Sequence, residues 1–252
     1  MVVPASLAAL VIALGFYVQV PWATGLWPWP TTPLSYIFIG SILTAIAIPL
    51  LWIGVSGETA AIQAGALDLA VMFGGMFIYL LTLLGDAQEP RLWPYVLVFG
   101  LACVGSIASV VVSRQVAWQD PRPLPSPVRA SFAAFAVILV AAGTALVFHS
   151  QIFPWHLGPE NSVMFGLMYL GAAAYFIHAV LVPRWSNAVG QLAGFLAYDV
   201  VLLAPFLGQI TTVHGRQLAS LIIYLTVLIY SGGLATYYLF LAAPTRMGAP
   251  RR

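Results

Sequence analysis

The sequence predicts an all-α polytopic integral membrane protein, with eight transmembrane helices arranged as a parallel tandem repeat of two four-helix units. Three observations carry this. Apolar residues make up 62% of the chain and charged residues 6%, against roughly 45–50% and about 25% in a soluble domain. Apolar runs of about 20 residues, enough to cross a hydrocarbon core of about 30 Å, recur along the whole length. The segment Pro28-Trp29-Pro30-Thr31-Thr32-Pro33 is matched by Pro154-Trp155-His156-Leu157-Gly158-Pro159, with a glycine following each at equal distance, Gly40 and Gly166.

The spans fall near 3–20, 34–54, 62–84, 93–113, 129–149, 162–182, 187–207 and 217–241. Helices are the expected form, because these runs are apolar on every face while a membrane strand alternates in polarity. The first run follows no basic stretch and ends in no small-residue cleavage pattern, so it is expected to stay as a span and not to be removed as a signal peptide. The second follows the first Pro-Trp motif. The third carries Asp68, and the fourth carries Cys103, the only cysteine, which suits a small packing residue. A proline-rich stretch with Pro121, Pro123, Pro125 and Pro127 separates the halves, and alternating prolines favour a stiff, extended connector. The expected divisions are 1–115 for the first unit, 116–128 for the connector, 129–245 for the second unit and 246–252 for a basic tail. An even number of spans per unit makes the repeat parallel, unlike the inverted repeats of many ion-coupled transporters.

Orientation follows from arginine, since the chain has no lysine. Arg114, Arg122, Arg129, Arg184, Arg246, Arg251 and Arg252 fall on one side, with Arg91 and Arg216 opposite. Basic residues stay cytoplasmic, so both termini are expected there, in a bacterial plasma membrane. The small positive net charge reflects this bias and lends no support to nucleic-acid binding. Two long outer loops carry Trp22, Trp27 and Trp29, and then Trp155. An interfacial aromatic belt is the expectation for them; a lid over a cavity between helices is the functional alternative. Gly190 with Gly194, Gly74-Gly75 and Gly232-Gly233 are small-residue positions where helices can approach closely.

Asp68 and Asp199 are the acids within spans, each on the third helix of its unit. An ionisable group there is costly and points to function by default, as a proton relay or a binding group; a neutral carboxyl making one interhelical hydrogen bond is the structural alternative. The register of the Pro-Trp motifs misaligns the two by five residues, leaving their equivalence open. Asp199 falls near mid-membrane, with Gln191 two turns earlier on a similar face and Pro205 beyond it. Glu58 and Glu160 fall in loops and are expected to be solvated.

Histidine raises haem and metal binding. His178 and His214 should lie at opposite membrane faces and make a poor axial pair. His149, His156 and Glu160 have suitable ligand chemistry but a spacing that matches no established site, so an interfacial role is expected for them. Met72 with Met76, and Met164 with Met168, suit core packing. In topology alone, two parallel four-helix units resemble haem A synthase. That enzyme's paired histidines in each half are missing, because no histidine falls in the first unit, and membership is not assigned. No Gly-rich phosphate loop, His-Glu-x-x-His helix or Gly-x-Ser-x-Gly elbow is present.

The expected function is therefore non-catalytic: a membrane-embedded subunit of a larger complex, or a carrier of an apolar ligand. The alternative is a proton-coupled transporter or channel using Asp68 and Asp199, and a haem- or metal-binding membrane protein is the lesser one. The expected partners are the lipid bilayer and either a membrane protein or an apolar small molecule. No cofactor is assigned.

Overall fold

Proline placement sets the start of four of the long helices, since a helix's first turn has N–H groups without intrahelical partners and proline lacks one. In the computed structural model, which describes residues 2–87, 89–120 and 122–247, the long helices are α1 (Val2–Tyr17), α2 (Pro33–Ser56), α3 (Ile62–Ala87) and α4 (Trp93–Ser113) in the first half. The second half holds α5 (Ser126–Val147), α6 (Pro159–Leu181), α7 (Trp185–Leu207) and α8 (Gly215–Thr236), which ends in a wider turn over Tyr237–Leu241. Pro121, Arg251 and Arg252 lie outside the described residues.

Seven of these helices, α2 to α8, are long and apolar enough to cross a membrane. The 16 residues of α1 reach about 24 Å, short of a core of about 30 Å. α1 nevertheless packs along α2, and buried Ser6 donates to the Ala47 carbonyl at 2.7 Å.

Neighbours in sequence pair as hairpins: α1 with α2, α3 with α4, α5 with α6, and α7 with α8. The halves are joined by two crossings, α2 against α7 and α3 against α6, while α2 and α3 share little contact. An inner layer of α2, α3, α6 and α7 results. α4 packs chiefly on α3 and leaves Leu97, Leu101, Val104 and Ile107 exposed, as a lipid-facing surface requires.

Backbone detail recurs between the halves. The turns leaving α1 and α5 each pass through a left-handed residue, Gln19 (φ 58°) and His149 (φ 60°). Val20 N–H then bonds the Gly15 carbonyl at 3.0 Å, and Ser150 N–H bonds that of Ala145 at 2.9 Å. Gly40 and Gly166 sit where their hairpins close: a Cβ on Gly40 would be 2.8 Å from the Ala13 oxygen, and one on Gly166 would be 2.7 Å from the Gly143 oxygen. At the tryptophan-loop end, Trp27 Nε1 donates to Asn161 at the start of α6 at 2.7 Å. Trp155 Nε1 donates to Ser35 at the start of α2 at 2.9 Å. Each loop thus reaches into the opposite half.

The connector between α4 and α5 is pinned to both halves. Glu58 is fully buried, and its two carboxylate oxygens accept the backbone N–H groups of Gln119 (3.1 Å) and Asp120 (3.0 Å). This corrects the expectation that Glu58 is solvated: the connector folds back over the α2–α3 loop, a contact between segments about sixty residues apart. Asp120 pairs with Arg122 at 2.6 Å, and Arg122 also donates to the Pro244 carbonyl. Leu124 N–H bonds the Pro183 carbonyl at 2.9 Å, and Trp185 N–H bonds that of Arg122 at 2.9 Å. The prolines keep the connector extended, and its hydrogen bonds go to the segments beneath it.

Candidate functional site

A cavity of about 620 Å³ runs through the bundle, from Ile53 and Ala61 near the connector end to Gln151 and Arg216 at the tryptophan-loop end. It lies among α2, α3 and the helices of the second half, and α4 adds Gly105, Ser106 and Ser109. Two of its lining residues, Ile138 of α5 and Ile223 of α8, are also 48% and 66% exposed at the bundle surface. Its walls are mostly apolar and aromatic, with Phe135, Phe153, Phe176 and Phe195 among them.

Both intramembrane acids line this one cavity, and so does Gln191. Asp68 lies six residues into α3, about 9 Å from the connector end. Its carboxylate faces α6 at Gly171, where a Cβ would come within 2.5 Å of Oδ1. Among the described residues no hydrogen bond reaches the Asp68 carboxyl. Tyr175, near it, donates to the Asn187 carbonyl at 3.1 Å. Asp199 lies deeper, fourteen residues into α7. Ser231 Oγ stands 2.9 and 3.1 Å from its two oxygens, and Gly232 leaves the room for it. The same hydroxyl lies 2.8 Å from the Val227 carbonyl, so its single proton is shared between competing acceptors.

Contact geometry bears on the register of the two acids. Asp68 faces Gly171 across the α3–α6 crossing, where a Cβ on Gly171 would sit 2.8 Å from the Asp68 carbonyl oxygen. Gly194 faces Ala45 across the α2–α7 crossing, 2.7 Å from the Ala45 oxygen by the same measure. Both residues of one pair are offset by the spacing of the Pro-Trp motifs from those of the other.

Three tyrosines form a cluster that the sequence reading did not foresee. Tyr169 of α6 and Tyr198 of α7 both hydrogen-bond the hydroxyl of Tyr224 on α8, the former at 2.6 Å. Three hydroxyls carry three protons and make two mutual bonds, which leaves one O–H to donate into the cavity they line. A signal was present: each lies nine or ten residues from the tryptophan-loop end of its helix. Tyr198 is adjacent to Asp199, but its hydroxyl goes to Tyr224.

The other sequence candidates are not brought to the cavity. His178 is near the connector end of α6 and His214 caps α8 at the other end. Both ring nitrogens of His178 are buried without a partner among the described residues. His149 and His156 are exposed. Among the described residues no group of three or more His, Cys, Asp or Glu could hold a metal ion. Met72, Met76, Met164 and Met168 are buried in the core. The tryptophans divide: Trp22 is 54% exposed, as an interfacial ring would be, while Trp29 and Trp155 are buried. Trp155 packs on Phe153 and Phe206 in a cluster built around Phe38. No protein-family model, curated protein or solved structure matches this chain.

Proposed function

We propose that this protein is a non-catalytic integral membrane protein that holds a mostly apolar, ligand-sized molecule within its bundle, as a carrier or as a binding subunit of a larger complex. The cavity carries this proposal. Its volume of about 620 Å³ falls within the range of roughly 300–1,000 Å³ typical of small-molecule sites, as does its apolar wall with few convergent polar groups. Its lining residues Ile138 of α5 and Ile223 of α8 are exposed on the side of the bundle, where a molecule dissolved in lipid would arrive. Purification in mild detergent followed by native mass spectrometry is expected to find a small apolar molecule retained by the wild type. The cavity-filling variants Ala172→Trp and Ala142→Phe should each lose it. Retention of the same molecule by both variants would place it outside the cavity.

The architecture that goes with this function is a parallel tandem repeat of two four-helix units, with α1 as an eighth crossing and both termini cytoplasmic. The matching turns after α1 and α5 and the reciprocal tryptophan bonds support the repeat. A reporter active only in the cytoplasm should work when fused at the C-terminus and fail when inserted between Trp22 and Trp29. The opposite pattern would invert the topology.

A proton-coupled transporter is the second reading, favoured by one observation: Asp68 and Asp199 line the same cavity at different depths. Asp199→Asn keeps an acceptor for Ser231 but cannot ionise. It should leave folding and expression intact while abolishing pH-driven flux in liposomes. Asp199→Leu should damage both, because it removes the hydrogen bond that ties α7 to α8 through Ser231. Full flux in the Asn variant would reduce Asp199 to a structural hydrogen-bonding group.

A further inference from the structure

We propose that the ligand of this cavity is a lipophilic cation, with its positive charge seated at Asp68; this rests on the cavity being a ligand site. A carboxylate in a low-dielectric interior is stable only when paired or hydrogen-bonded. Asp68 lines the cavity and has neither kind of partner among the described residues. Tyr175, the nearest hydroxyl-bearing side chain brought to it from α6, is committed to the Asn187 carbonyl. Asp199 differs, since Ser231 donates toward its oxygens.

The only basic residue lining the cavity among the described residues is Arg216. It opens α8 at the tryptophan-loop end, across the bundle from Asp68 near the connector end. No fixed cation of the cavity therefore answers Asp68. The walls near this acid suit an aryl or alkyl cation. The Tyr175 ring packs against Gly65 one turn before Asp68, at 3.7 Å from where a Cβ would stand, and Phe176 lies beside Tyr175 in the lining. Aromatic rings attract a cation electrostatically and most strongly where water is excluded. The tyrosine hydroxyls and Gln191 supply neutral polar contacts but no compensating positive charge. An anionic ligand would meet two acids and, at the far end, one arginine.

The probes are tetraphenylphosphonium, tetraphenylborate of nearly the same shape, and neutral N-phenyl-1-naphthylamine. Each is titrated separately against the full chain in phosphatidylcholine nanodiscs, with empty nanodiscs subtracted. The wild type should bind tetraphenylphosphonium saturably and prefer it to tetraphenylborate by at least tenfold. Asp68→Asn should weaken tetraphenylphosphonium binding at least tenfold, which corresponds to about 1.4 kcal/mol, and leave the neutral probe unchanged. Asp68→Glu should keep the cation within a few-fold.

Equal wild-type binding of the two tetraphenyl ions would overturn the proposal without recourse to any variant. So would an Asp68→Asn protein that binds the phosphonium within twofold of wild type while still taking the neutral probe; the cavity would then stand as a site for uncharged molecules. If no probe saturates and Ala172→Trp alters none of the titrations, the ligand cavity itself is refuted.

Discussion

Gly166→Leu is expected to prevent the second half from assembling, so that the variant fails to give monodisperse protein in mild detergent. The reason lies in the backbone. A Cβ on Gly166 would meet the Gly143 oxygen at 2.7 Å and the Val147 nitrogen at 3.0 Å, both main-chain atoms of α5. No rotamer change relieves a clash with backbone, so α5 and α6 would have to move apart. That movement would also disturb Phe165, which packs 4.6 Å from Phe38 between ring centres, and Asn161, which accepts from Trp27. Helices in lipid are held by close packing and interhelical hydrogen bonds and not by a hydrophobic force between them, so losing contact at a glycine crossing removes most of what joins the pair. Gly166→Ala should fold but melt earlier, with a cost of about 1–3 kcal/mol, the usual range for overpacking. Gly233→Ala is the control. Nothing lies within 4 Å of a Cβ at Gly233, and alanine is the better helix former by about 1 kcal/mol. Thermal melting followed by size-exclusion chromatography compares the three. A Gly166→Leu protein as stable as Gly233→Ala would show that the α5–α6 crossing contributes little.

Glu58→Ala should lower stability by about 3 kcal/mol, because hydrogen bonds to a charged group contribute about 1.5–3 kcal/mol each and this carboxylate accepts two. The loss should appear as a melting temperature lower by about 6–12 °C, taking about 2–4 °C per kcal/mol for a chain of this size. It should also appear as faster proteolysis within 114–125, since the connector loses its anchor to the α2–α3 loop. Glu58→Gln retains one side-chain oxygen as acceptor but sets its NH2 against the other backbone N–H, so it should recover less than half the loss. The connector's other ties, through Leu124, Arg122 and Trp185, remain in both variants. Unchanged proteolysis in Glu58→Ala would mean that those ties alone hold the segment.

Much of the helical layout was legible in the chain. Each helix from α2 to α8 falls within a few residues of its apolar run, because a span must be apolar over about 20 residues and must satisfy its backbone internally. In the structure prolines open α2 and α6, and Gly57 closes α2. Part of the site was legible too: Asp68, Asp199 and Gln191 stood out because polar groups are rare inside spans, and all three line the cavity. The tyrosine cluster was not, since tyrosine in a span is unremarkable until three helices bring the hydroxyls to one depth. Glu58 was misread because a loop position says nothing of which distant segment covers it.

The sequence by itself therefore determined where the apolar helices lie and which few polar groups enter them, since those depend on composition within one run. The tertiary structure alone decided that α2 packs on α7 and α3 on α6, that both acids share a cavity, and that only Asp199 finds a hydroxyl partner. Hydropathy is nearly uniform around these helices and so does not say which faces meet. Small residues and single hydrogen bonds between distant segments decide that, and they act only once the helices are side by side.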